Sequence, residues 1–400
     1  MVKIAVLGYG TIGSGVMEVL ERNRDVITKR AGEEIAVKYI LDLREFPGDP
    51  YADRIVHDYD VIRQDPEVSV VVEAMGGVEP AFTFAKEAVL AGRHFATSNK
   101  ALIAKHGAEL IAVAREKHVN CLFGASVGGG IPIIRPLNCC LTADVIEEIS
   151  GILNGTTNYM MTKMADEGSD FDDVLKDAQQ KGFAEADPAA DIEGHDACRK
   201  IAILTSLICG QQVDFEDIHT EGITKITATD FKYARAMGRR IRLLGSSYKT
   251  GDSYCAVVAP YMVDDSSPLY AVNGVFNAVF VRGNMLGDAM FYGSGAGKLP
   301  TASAVAADVI DIVRHKNEHI PVEWGSEKLK LVDYRQLTGR YFVRTTASSA
   351  AIEKVFGTVS RVEADGITGE TAFVTAEMDG YAYEQAAAQL GDILQCIRVK

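Results

Sequence analysis

The chain has 400 residues, of which 47% are hydrophobic and 24% charged, and its formal net charge is −14. This composition is typical of a globular protein of two or three domains, and the acidic balance argues against nucleic acid or an anionic membrane as the main partner, which leaves small molecules. The sequence lacks an apolar run of about 18 residues and a signal peptide, and its seven cysteines are scattered, so we expect a cytoplasmic protein with reduced thiols.

Short apolar runs alternate with helical patterns in the first third of the chain. The runs at residues 2–7, 35–41, 68–72, 93–97 and 121–125 are typical of buried parallel strands. Strands that alternate with helices imply right-handed βαβ units. The sequence therefore predicts an α/β fold with a Rossmann-type doubly wound parallel sheet.

A glycine-rich motif, GYGTIG at residues 8–13, joins the first strand to the first helix. In this context the glycines allow a tight turn, close approach of a pyrophosphate and close helix packing, and the helix N-terminus holds the phosphates. Asp42 ends the second strand and could bind both ribose hydroxyls of NAD, whereas Arg44 could neutralise the 2′-phosphate of NADP. The sequence thus predicts a dinucleotide site and leaves the choice between NAD and NADP open.

A second polar segment, Thr97-Ser98-Asn99-Lys100, follows the strand at 93–97. Ligands of open α/β sheets bind outside the carboxyl ends of the strands, so Lys100 is placed to meet cofactor and substrate. The alternative is a solvated lysine that starts the next helix.

The pattern changes after about residue 135. Runs at 145–153 and 255–263 resemble strands of a second sheet separated by longer helices, which predicts an α+β domain. Residues 322–339 are polar and carry the single tryptophan, and we predict that they form a connector before the C-terminal module. From Tyr341 onward the predicted order βαββαβ is that of a small ferredoxin-like module.

Five carboxylates crowd residues 182–200, where a loop leads into a helix predicted at 192–208 with Asp191 as its N-cap. Asp196 and Lys200 lie four residues apart on one helix face, and a surface ion pair would account for them. It would not account for Glu185 in the approach loop. Carboxylates that face a lysine in a cleft could instead bind an amino group and position a proton donor.

Two further turns are dense in small polar residues. Residues 151–158, which include Thr156, leave a strand, and residues 292–297 join a strand to a helix. The first is either a helix cap or a polar pocket for a small zwitterion. The second is either a mobile loop or another backbone cradle near the cofactor.

Taken together, these motifs resemble the homoserine dehydrogenases over roughly residues 1–315. The segments that carry the resemblance are GYGTIGSGV, VVEAMGG, TSNKALIA, ASVGGGIPIIR, GILNGTTNY, GFAEADPAADIEGHDACRKIAIL and FYGSGAGKLPTASAV. The resemblance implies the reversible reduction of L-aspartate 4-semialdehyde by NAD(P)H to L-homoserine, on the route to threonine, methionine and isoleucine. It also implies a homodimer or higher homo-oligomer that forms through the second domain.

The resemblance assigns roles to several residues. It implies that Lys100, Lys200 and Asp196 are catalytic, and that Glu185, Asp191 and Thr156 bind the substrate. It adds Gly297 to the cofactor site. The predicted cofactor-binding residues are then Gly8, Gly10, Thr11, Ile12, Gly13, Asp42, Arg44, Thr97, Ser98, Lys100 and Gly297.

The chain departs from the family at two points. The family often has a glutamate before the A-S-V stretch, near a monovalent cation, but this chain has Gly124. The backbone carbonyls of Val127, Gly129 and Ile131 could still hold sodium or potassium. The C-terminal module resembles an ACT regulatory module but lacks its usual ligand loop at residues 345–349, which leaves open whether it binds an amino-acid effector or serves only in assembly.

The predicted domains follow from these motifs. They are a dinucleotide-binding domain at 1–134 with a return segment at about 298–318, a substrate-binding, catalytic and dimerisation domain at 135–297, a connector at 319–339 and an ACT-like domain at 340–400. Two alternatives to the enzyme are another amino-acid dehydrogenase, such as an aspartate dehydrogenase, and a catalytically silent NAD(P)-binding amino-acid sensor. The helix that carries Asp196 and Lys200 argues against the first, and the joint retention of Lys100, Asp196 and Lys200 argues against the second.

Overall fold

The computed structural model describes residues 1–400. Its strands are β1 (Val2–Leu7), β2 (Ile35–Leu41), β3 (Ile55–Val56), β4 (Val68–Glu73), β5 (His94–Thr97), β6 (Cys121–Leu122), β7 (Ile146–Ile152), β8 (His219–Thr220), β9 (Arg240–Thr250), β10 (Ser253–Val263), β11 (Phe276–Gly283), β12 (Gly287–Ser294), β13 (Thr338–Thr345), β14 (Ser360–Val362), β15 (Thr371–Val374), β16 (Met378–Asp379) and β17 (Ile393–Val399). Its α-helices are α1 (Thr11–Arg22), α2 (Arg24–Ala31), α3 (Tyr59–Arg63), α4 (Ala81–Leu90), α5 (Lys100–Glu116), α6 (Ala125–Gly128), α7 (Ile134–Cys139), α8 (Gly155–Glu167), α9 (Phe171–Gln180), α10 (Ala189–Ile192), α11 (His195–Cys209), α12 (Ala228–Ala236), α13 (Lys298–Arg314), α14 (Ser349–Phe356) and α15 (Gly380–Leu390). None of these helices combines the length and the apolar character that a membrane crossing requires.

The first of two compact units comprises Met1–Val145, Ala202–Asp214 and Gly293–Leu329. Its six strands are all parallel and lie in the order β3-β2-β1-β4-β5-β6. The order reverses between β1 and β4, which is where a doubly wound sheet opens a crevice for its ligand. The predicted Rossmann-type sheet is confirmed.

Apolar residues of sheet and helices form one core in this unit. Ile4 and Val6 of β1 pack with Val16 of α1 and with Val305 and Val309 of α13, and all five are buried. The return helix α13 thus belongs to the nucleotide-binding core. Its burial completes the apolar cover that a two-sided parallel sheet needs.

The predicted connector is anchored by its tryptophan. Trp324 is buried, meets Phe123 edge-on and donates from Nε1 to the side-chain oxygen of Gln212 at 3.1 Å. One large aromatic side chain with a satisfied indole N–H therefore fixes a stretch whose composition is otherwise polar.

The second unit comprises Ile146–Ile201, Phe215–Tyr292 and Lys330–Lys400. Its mixed sheet has eleven strands with the main order β12-β11-β7-β9-β10-β17-β13-β15-β14. The βαββαβ elements of the C-terminal module supply β17-β13-β15-β14, with the two-residue β16 in addition, and β17 pairs in parallel with β10. The module therefore extends the sheet of this unit, and its identity as an ACT-like domain stays a prediction.

The helix predicted at 192–208 is divided in the structure. Gly194 has a φ of +85°, a left-handed conformation that an α-helix cannot include, so the short helix α10 ends before it and α11 begins after it. Asp191 lies inside α10. Its predicted position as an N-cap is wrong.

A buried arginine joins the C-terminal module to helix α12 within the second unit. Arg344 of β13 donates to Asp230 at 2.7 Å and forms a two-pronged pair with Glu370 at 2.8 Å. Asp230 is fully buried and also accepts from Thr227 in a capping box. Substitution of one partner in this network should destabilise the protein, because it leaves the other charge buried without a counter-ion.

We expect Arg344→Ala to lower the free energy of unfolding by about 3–5 kcal/mol, because Asp230 would lose its buried counter-ion. Chemical denaturation followed by circular dichroism measures the change. Arg340→Ala is the matched control, since Arg340 is an exposed arginine of the same strand, and its effect should stay within about 0.5 kcal/mol. Equal losses in the two variants would contradict the anchoring role of Arg344.

Candidate active site

A tight turn with one open face follows β1. Gly8 has a φ of +94°, and a β-carbon added to Gly13 would lie 1.9 Å from the carbonyl oxygen of Gly8. A β-carbon on Gly10 would instead meet nothing within 4 Å. The helix therefore packs tightly on the turn while its middle glycine faces open space, and the turn fits the pyrophosphate of a dinucleotide.

The N-terminus of α1 completes this turn. Gly10 caps the helix without a side-chain hydrogen bond, and the first helical turn contains no acidic residue. The N–H groups of Thr11, Ile12 and Gly13 lack acceptors within the helix, and the helix dipole favours an anion beside them. This end of α1 can receive phosphate.

Asp42 and Arg44 form an ion pair just after β2. The Asp42 carboxylate accepts from the backbone N–H of Tyr9 at 2.8 Å and from Nε and Nη2 of Arg44, each at 2.9 Å. The Arg44 hydrogen bonds are the main reason that the pKa of Asp42 lies far below its usual range. The Arg44 side chain is 62% exposed, so it can leave this pair at little cost.

A buried carboxylate organises the ends of β4 and β5. Glu73 has no exposed surface and accepts from Thr97 Oγ1 at 2.5 Å and from the backbone N–H of Met75 at 2.7 Å. Burial raises the pKa of Glu73, and these hydrogen bonds oppose the shift. Glu73 was not predicted as a site residue, although an acid that ends a central parallel strand was a usable signal.

Asn99 continues this network to Lys100. Its amide donates to the carbonyl of Gly77 at 2.6 Å, and its side-chain oxygen caps α5 by accepting from the N–H of Leu102. Lys100 is then the first residue of α5 and is half-buried, as is Ser98. The structure thus brings Thr97, Ser98 and Lys100 to the carboxyl end of β5, as the sequence predicts.

In the second unit, one asparagine links the acids of the loop and the helix. The Nδ2 atom of Asn154 donates to Asp191 at 2.7 Å and to Asp196 at 2.9 Å. Its Oδ1 atom caps α8 by accepting from the N–H of Thr157. The sequence left residues 151–158 open between a helix cap and a polar pocket, and Asn154 both caps α8 and joins two predicted site residues.

Lys200 completes this cluster with a buried ammonium group. Its Nζ donates to Asp196 at 2.7 Å and to the backbone carbonyl of Leu153 at 2.6 Å. Lys200 is 7% exposed and Asp196 is 3% exposed. The alternative interpretation of this pair as a surface ion pair is therefore wrong. Removal of either partner would leave the other charge buried and would destabilise the protein.

Asp191 is the acid of this cluster whose protonation is most affected by its surroundings. Burial raises its pKa first, and the nearby negative charge of Asp196 raises it further. Hydrogen bonds from Asn154 and Thr156 and the charge of Lys200 oppose these effects. A cationic ligand beside Asp191 would favour its ionised form.

The remaining predicted substrate residues differ in burial. Thr156 is buried at the start of α8 and donates to the carbonyl of Phe183 at 2.6 Å. Glu185 lies in the exposed loop after Phe183, and its backbone carbonyl accepts from Gln179 at 3.1 Å. The structure therefore joins Thr156 to the base of this loop, while the Glu185 carboxylate faces solvent.

The candidate cation carbonyls lie in a compressed loop of the first unit. Gly129 has a φ of +55°, and a β-carbon there would lie 2.5 Å from the carbonyl oxygen of Gly295. The hydroxyl of Ser126, beside Val127, is buried without a hydrogen-bond partner. An orphaned oxygen beside these carbonyls fits a cation that prefers oxygen ligands, although no cluster of three histidine, cysteine or acidic side chains could hold a metal ion.

Gly297 caps the N-terminus of α13, two residues after the Gly295 whose carbonyl packs against Gly129. Its φ is +117°, and its carbonyl accepts from the N–H of Thr301. Asp308 of the same helix accepts from the N–H of Gly124 at 2.7 Å. A β-carbon on Gly124 would lie 2.7 Å from the other Asp308 oxygen, so the glycine and the aspartate are sterically matched.

Comparison with known proteins identifies the family. Residues 132–310 match the family model described as homoserine dehydrogenase, and residues 8–124 match the model of its NAD-binding domain. A homoserine dehydrogenase of Pseudomonas aeruginosa is 44% identical over 314 residues, which cover 78% of this chain and 72% of that protein. The chain belongs to the homoserine dehydrogenase family. It is therefore an NAD(P)-dependent oxidoreductase that interconverts L-aspartate 4-semialdehyde and L-homoserine, which confirms the predicted activity.

Solved homoserine dehydrogenases share this architecture. The enzyme from Thiobacillus denitrificans has a TM-score of 0.91 at 34% identity, and the match covers 100% of this chain and 98% of that one. A hyperthermophilic archaeal homoserine dehydrogenase in complex with NADPH has a TM-score of 0.67 at 28% identity, with 78% of this chain and 97% of that one covered. The likeness to the first enzyme extends over the C-terminal module.

We expect the stability of the first unit to depend on pH through Asp308. Burial raises the pKa of Asp308 to about 7, partly opposed by Gly124 and Arg135 and reinforced by Asp311. Between about pH 4 and 7 the folded state holds a proton that the unfolded state has lost, so stability falls as the pH rises. Asp308→Asn should remove this pH-dependent loss. The difference in free energy of unfolding between the variant and the unchanged protein should therefore shift in favour of the variant by a few kcal/mol, or roughly 4 kcal/mol at most, between pH 4 and pH 7.

Denaturation curves at pH 5, 6, 7 and 8 measure this difference. Asp25→Asn, at an exposed position of α2, is the control for loss of one carboxylate. A gap between Asp308→Asn and the unchanged protein that does not vary with pH would contradict the prediction.

Proposed function

We propose that Lys200 is the group that meets the reacting carbonyl of aspartate semialdehyde. The observation that carries this assignment is its buried ammonium, which has a carboxylate partner in Asp196 and a carbonyl partner in Leu153. A buried ammonium held by two acceptors is a preorganised donor for a developing oxyanion. Asp196 orients the lysine through this contact and balances its charge.

The chemistry requires a hydride at the carbonyl carbon and a proton at the carbonyl oxygen. The nicotinamide of the bound cofactor supplies the hydride. Lys200 stabilises the negative charge that develops on oxygen and transfers a proton to it, so that the aldehyde becomes an alcohol. In the reverse direction Lys200 accepts the hydroxyl proton of L-homoserine. Lys100 is proposed as the second active-site lysine.

Asp191, Glu185 and Thr156 are proposed to bind the amino-acid end of the substrate. The raised pKa of Asp191 supports this role, because the substrate ammonium would supply the positive charge that its buried carboxylate favours. Glu185 would reach the same ammonium from its exposed loop, and Thr156 would hold the loop through Phe183. The acids thus select an amino acid over a simple aldehyde.

We propose NADP as the preferred cofactor. Each Asp42 oxygen accepts a backbone N–H, from Tyr9 or from Arg44, which leaves it less free for ribose hydroxyls even when the exposed Arg44 side chain turns towards a 2′-phosphate. The archaeal relative in complex with NADPH supports the proposal. The turn at residues 8–13, Thr97, Ser98, Lys100 and Gly297 would hold the rest of the cofactor.

We propose three further features of this protein: a bound cation, a homodimer and a cellular location. A sodium or potassium ion would bind the carbonyls of Val127, Gly129 and Ile131 beside the Ser126 hydroxyl. A homodimer would cover the edge strand β12 and its hairpin, where Met285 is 83% exposed. We also propose a cytoplasmic location.

The sequence leaves open whether the C-terminal module binds an amino-acid effector at residues 345–349 or serves only in assembly. We propose the assembly role. The Thr345 hydroxyl donates to the carbonyl of Asp392 and accepts from the N–H of Ala347, and Ser348 caps α14. These contacts use the polar groups of the loop internally.

The first experiment is L-homoserine oxidation at alkaline pH with NADP⁺, followed by absorbance of the reduced cofactor and repeated with sodium, potassium or neither. Lys200→Met should lower kcat by about 10²–10⁴, because the proton donor and the charge on the developing oxyanion are lost together. The affinity for NADPH, measured by fluorescence titration, should stay unchanged and shows that the first unit is folded.

Arg199→Met is the matched control, because Arg199 is the neighbouring residue of α11 and its guanidinium contacts the Phe215 ring rather than the acid cluster. Its turnover should stay within about threefold of the unchanged enzyme, as removal of one partly exposed charge predicts. Turnover of Lys200→Met near that of Arg199→Met would overturn the assignment of Lys200.

A second experiment tests the cofactor preference. Arg44→Ala should lower kcat/KM with NADP⁺ by roughly 10- to 100-fold and leave kcat/KM with NAD⁺ unchanged or higher, because only the 2′-phosphate needs the guanidinium. The control is Arg22→Ala, an exposed arginine at the end of α1. An unchanged ratio of the two cofactors in Arg44→Ala would contradict the proposed role of Arg44.

A further inference from the structure

A cavity of about 140 Å³ in the second unit lies among arginine side chains. It is lined by the C-terminal end of α12, the start of β9 and the end of α8, with Arg235, Arg239, Arg240, Asp166 and Tyr270 among the lining residues. None of these residues belongs to the proposed substrate or cofactor site. The volume suits a small metabolite or an inorganic oxyanion rather than a nucleotide.

The three arginines differ in how fully their charges are balanced. Arg239 pairs with Asp264 at 2.8 Å and donates to the carbonyls of Met262 and Lys400, so it acts as a structural clamp. Arg240 reaches its nearest carboxylate, Asp166, only at 3.4 Å. That separation is longer than the 2.7–2.9 Å or so of a strong charge-assisted hydrogen bond.

Arg235 contributes a charge with no carboxylate partner. Its Nη2 donates to the backbone carbonyl of Ala165 at 2.5 Å, at the end of α8. A carbonyl at a helix end satisfies a donor but does not neutralise a full positive charge. Arg235 therefore has no carboxylate beside it, while Arg240 has only the long contact with Asp166 and a hydrogen bond to the side-chain oxygen of Asn273 at 3.2 Å, so both guanidinium groups can turn towards a ligand.

A fourth arginine, Arg242, lies further along β9 and is also uncompensated. It is 1% exposed, and its guanidinium donates only to neutral oxygens of Asn158, Thr162, Tyr270 and Asn273. Its Nε has no partner at all. Burial and the neighbouring charge of Arg240 lower the pKa of Arg242 to about 10, so the side chain remains charged at neutral pH.

Four guanidinium groups thus share one neighbourhood with two carboxylates, in a chain whose net charge is −14. Arg242 is the fully buried member of this group, and a buried guanidinium that donates only to neutral oxygens is electrostatically costly unless an anion lies nearby. Guanidinium groups present planar donor pairs that match the oxygens of carboxylates and phosphates. We propose that this cavity is a binding site for a small dianion with a phosphate or dicarboxylate group, held by Arg235 and Arg240.

Helix α8 links the cavity to the acid cluster around Asn154. The cavity is lined by the C-terminal end of α8, and Arg242 also bonds to Asn158 and Thr162 of that helix. The N-terminal end of α8 begins at Asn154, the residue that links Asp191 and Asp196. A bound dianion therefore relieves repulsion at one end of a helix that carries part of the acid cluster at the other.

The test is isothermal titration calorimetry of the full chain at pH 7 and constant ionic strength, with inorganic phosphate, malonate or chloride as the probe. We expect saturable one-site binding of phosphate or malonate and none of chloride. Arg235→Gln and Arg240→Gln should each weaken that binding at least tenfold. The tighter of the two probes identifies the ligand group as phosphate or dicarboxylate.

Lys232→Gln is the matched control, because Lys232 is an exposed cation of α12 that does not line the cavity. It should bind the probe like the unchanged protein. The proposal is overturned by non-saturable binding, by equal binding of chloride, by unchanged binding in both arginine variants, or by an equal loss in Lys232→Gln. Because the readout is binding without turnover, the result is independent of the proposed roles of Lys200 and Asp191.

Discussion

The buried ion pair between Lys200 and Asp196 is the constraint on which the proposed substrate site depends. An ammonium group taken out of water is unfavourable unless acceptors surround it, and here Asp196 and the carbonyl of Leu153 do so. The same carboxylate accepts from Asn154, which in turn holds Asp191. The strand end, the short helix α10 and helix α11 are therefore tied together through one charge. A change at any of these residues would alter the position of the Lys200 ammonium group.

The nucleotide-binding unit is organised by a buried carboxyl group. Glu73 draws the ends of β4 and β5 together through Met75 and Thr97, next to the crevice where the strand order reverses. Asn99 extends the network and starts the helix whose first residue is Lys100. In both units a buried polar network surrounds a lysine or the start of its helix, and rigid networks of this type fix geometry more than they add stability.

Local patterns predicted the parts of this molecule that depend on neighbours in sequence. The glycines at positions 8, 10 and 13 act within one strand–turn–helix unit, so the motif alone was sufficient for the fold of that turn. The spacing of Asp196 and Lys200 predicted their contact, but not their burial or the hydrogen bond from Lys200 to Leu153, which lies 47 residues earlier. The division of the helix at Gly194 was missed because glycine also occurs inside helices, and only its φ of +85° reveals the break. The organising roles of Glu73 and Asn154 were missed because their decisive partners, Thr97 for the first and Asp191 and Asp196 for the second, are distant in sequence.

The pair of Gly124 and Asp308 shows why a departure from a family pattern has to be judged in three dimensions. In sequence, Gly124 is a missing carboxylate beside the candidate cation loop. In the structure, Asp308 of α13 brings a carboxylate against the Gly124 backbone, and any side chain at position 124 would collide with it. A glutamate at this position would have to displace Asp308 or share a buried space with a second acid, which would raise the pKa of one of them. The glycine thus fits a carboxyl group supplied from a segment almost two hundred residues away, and local sequence alone cannot show that match.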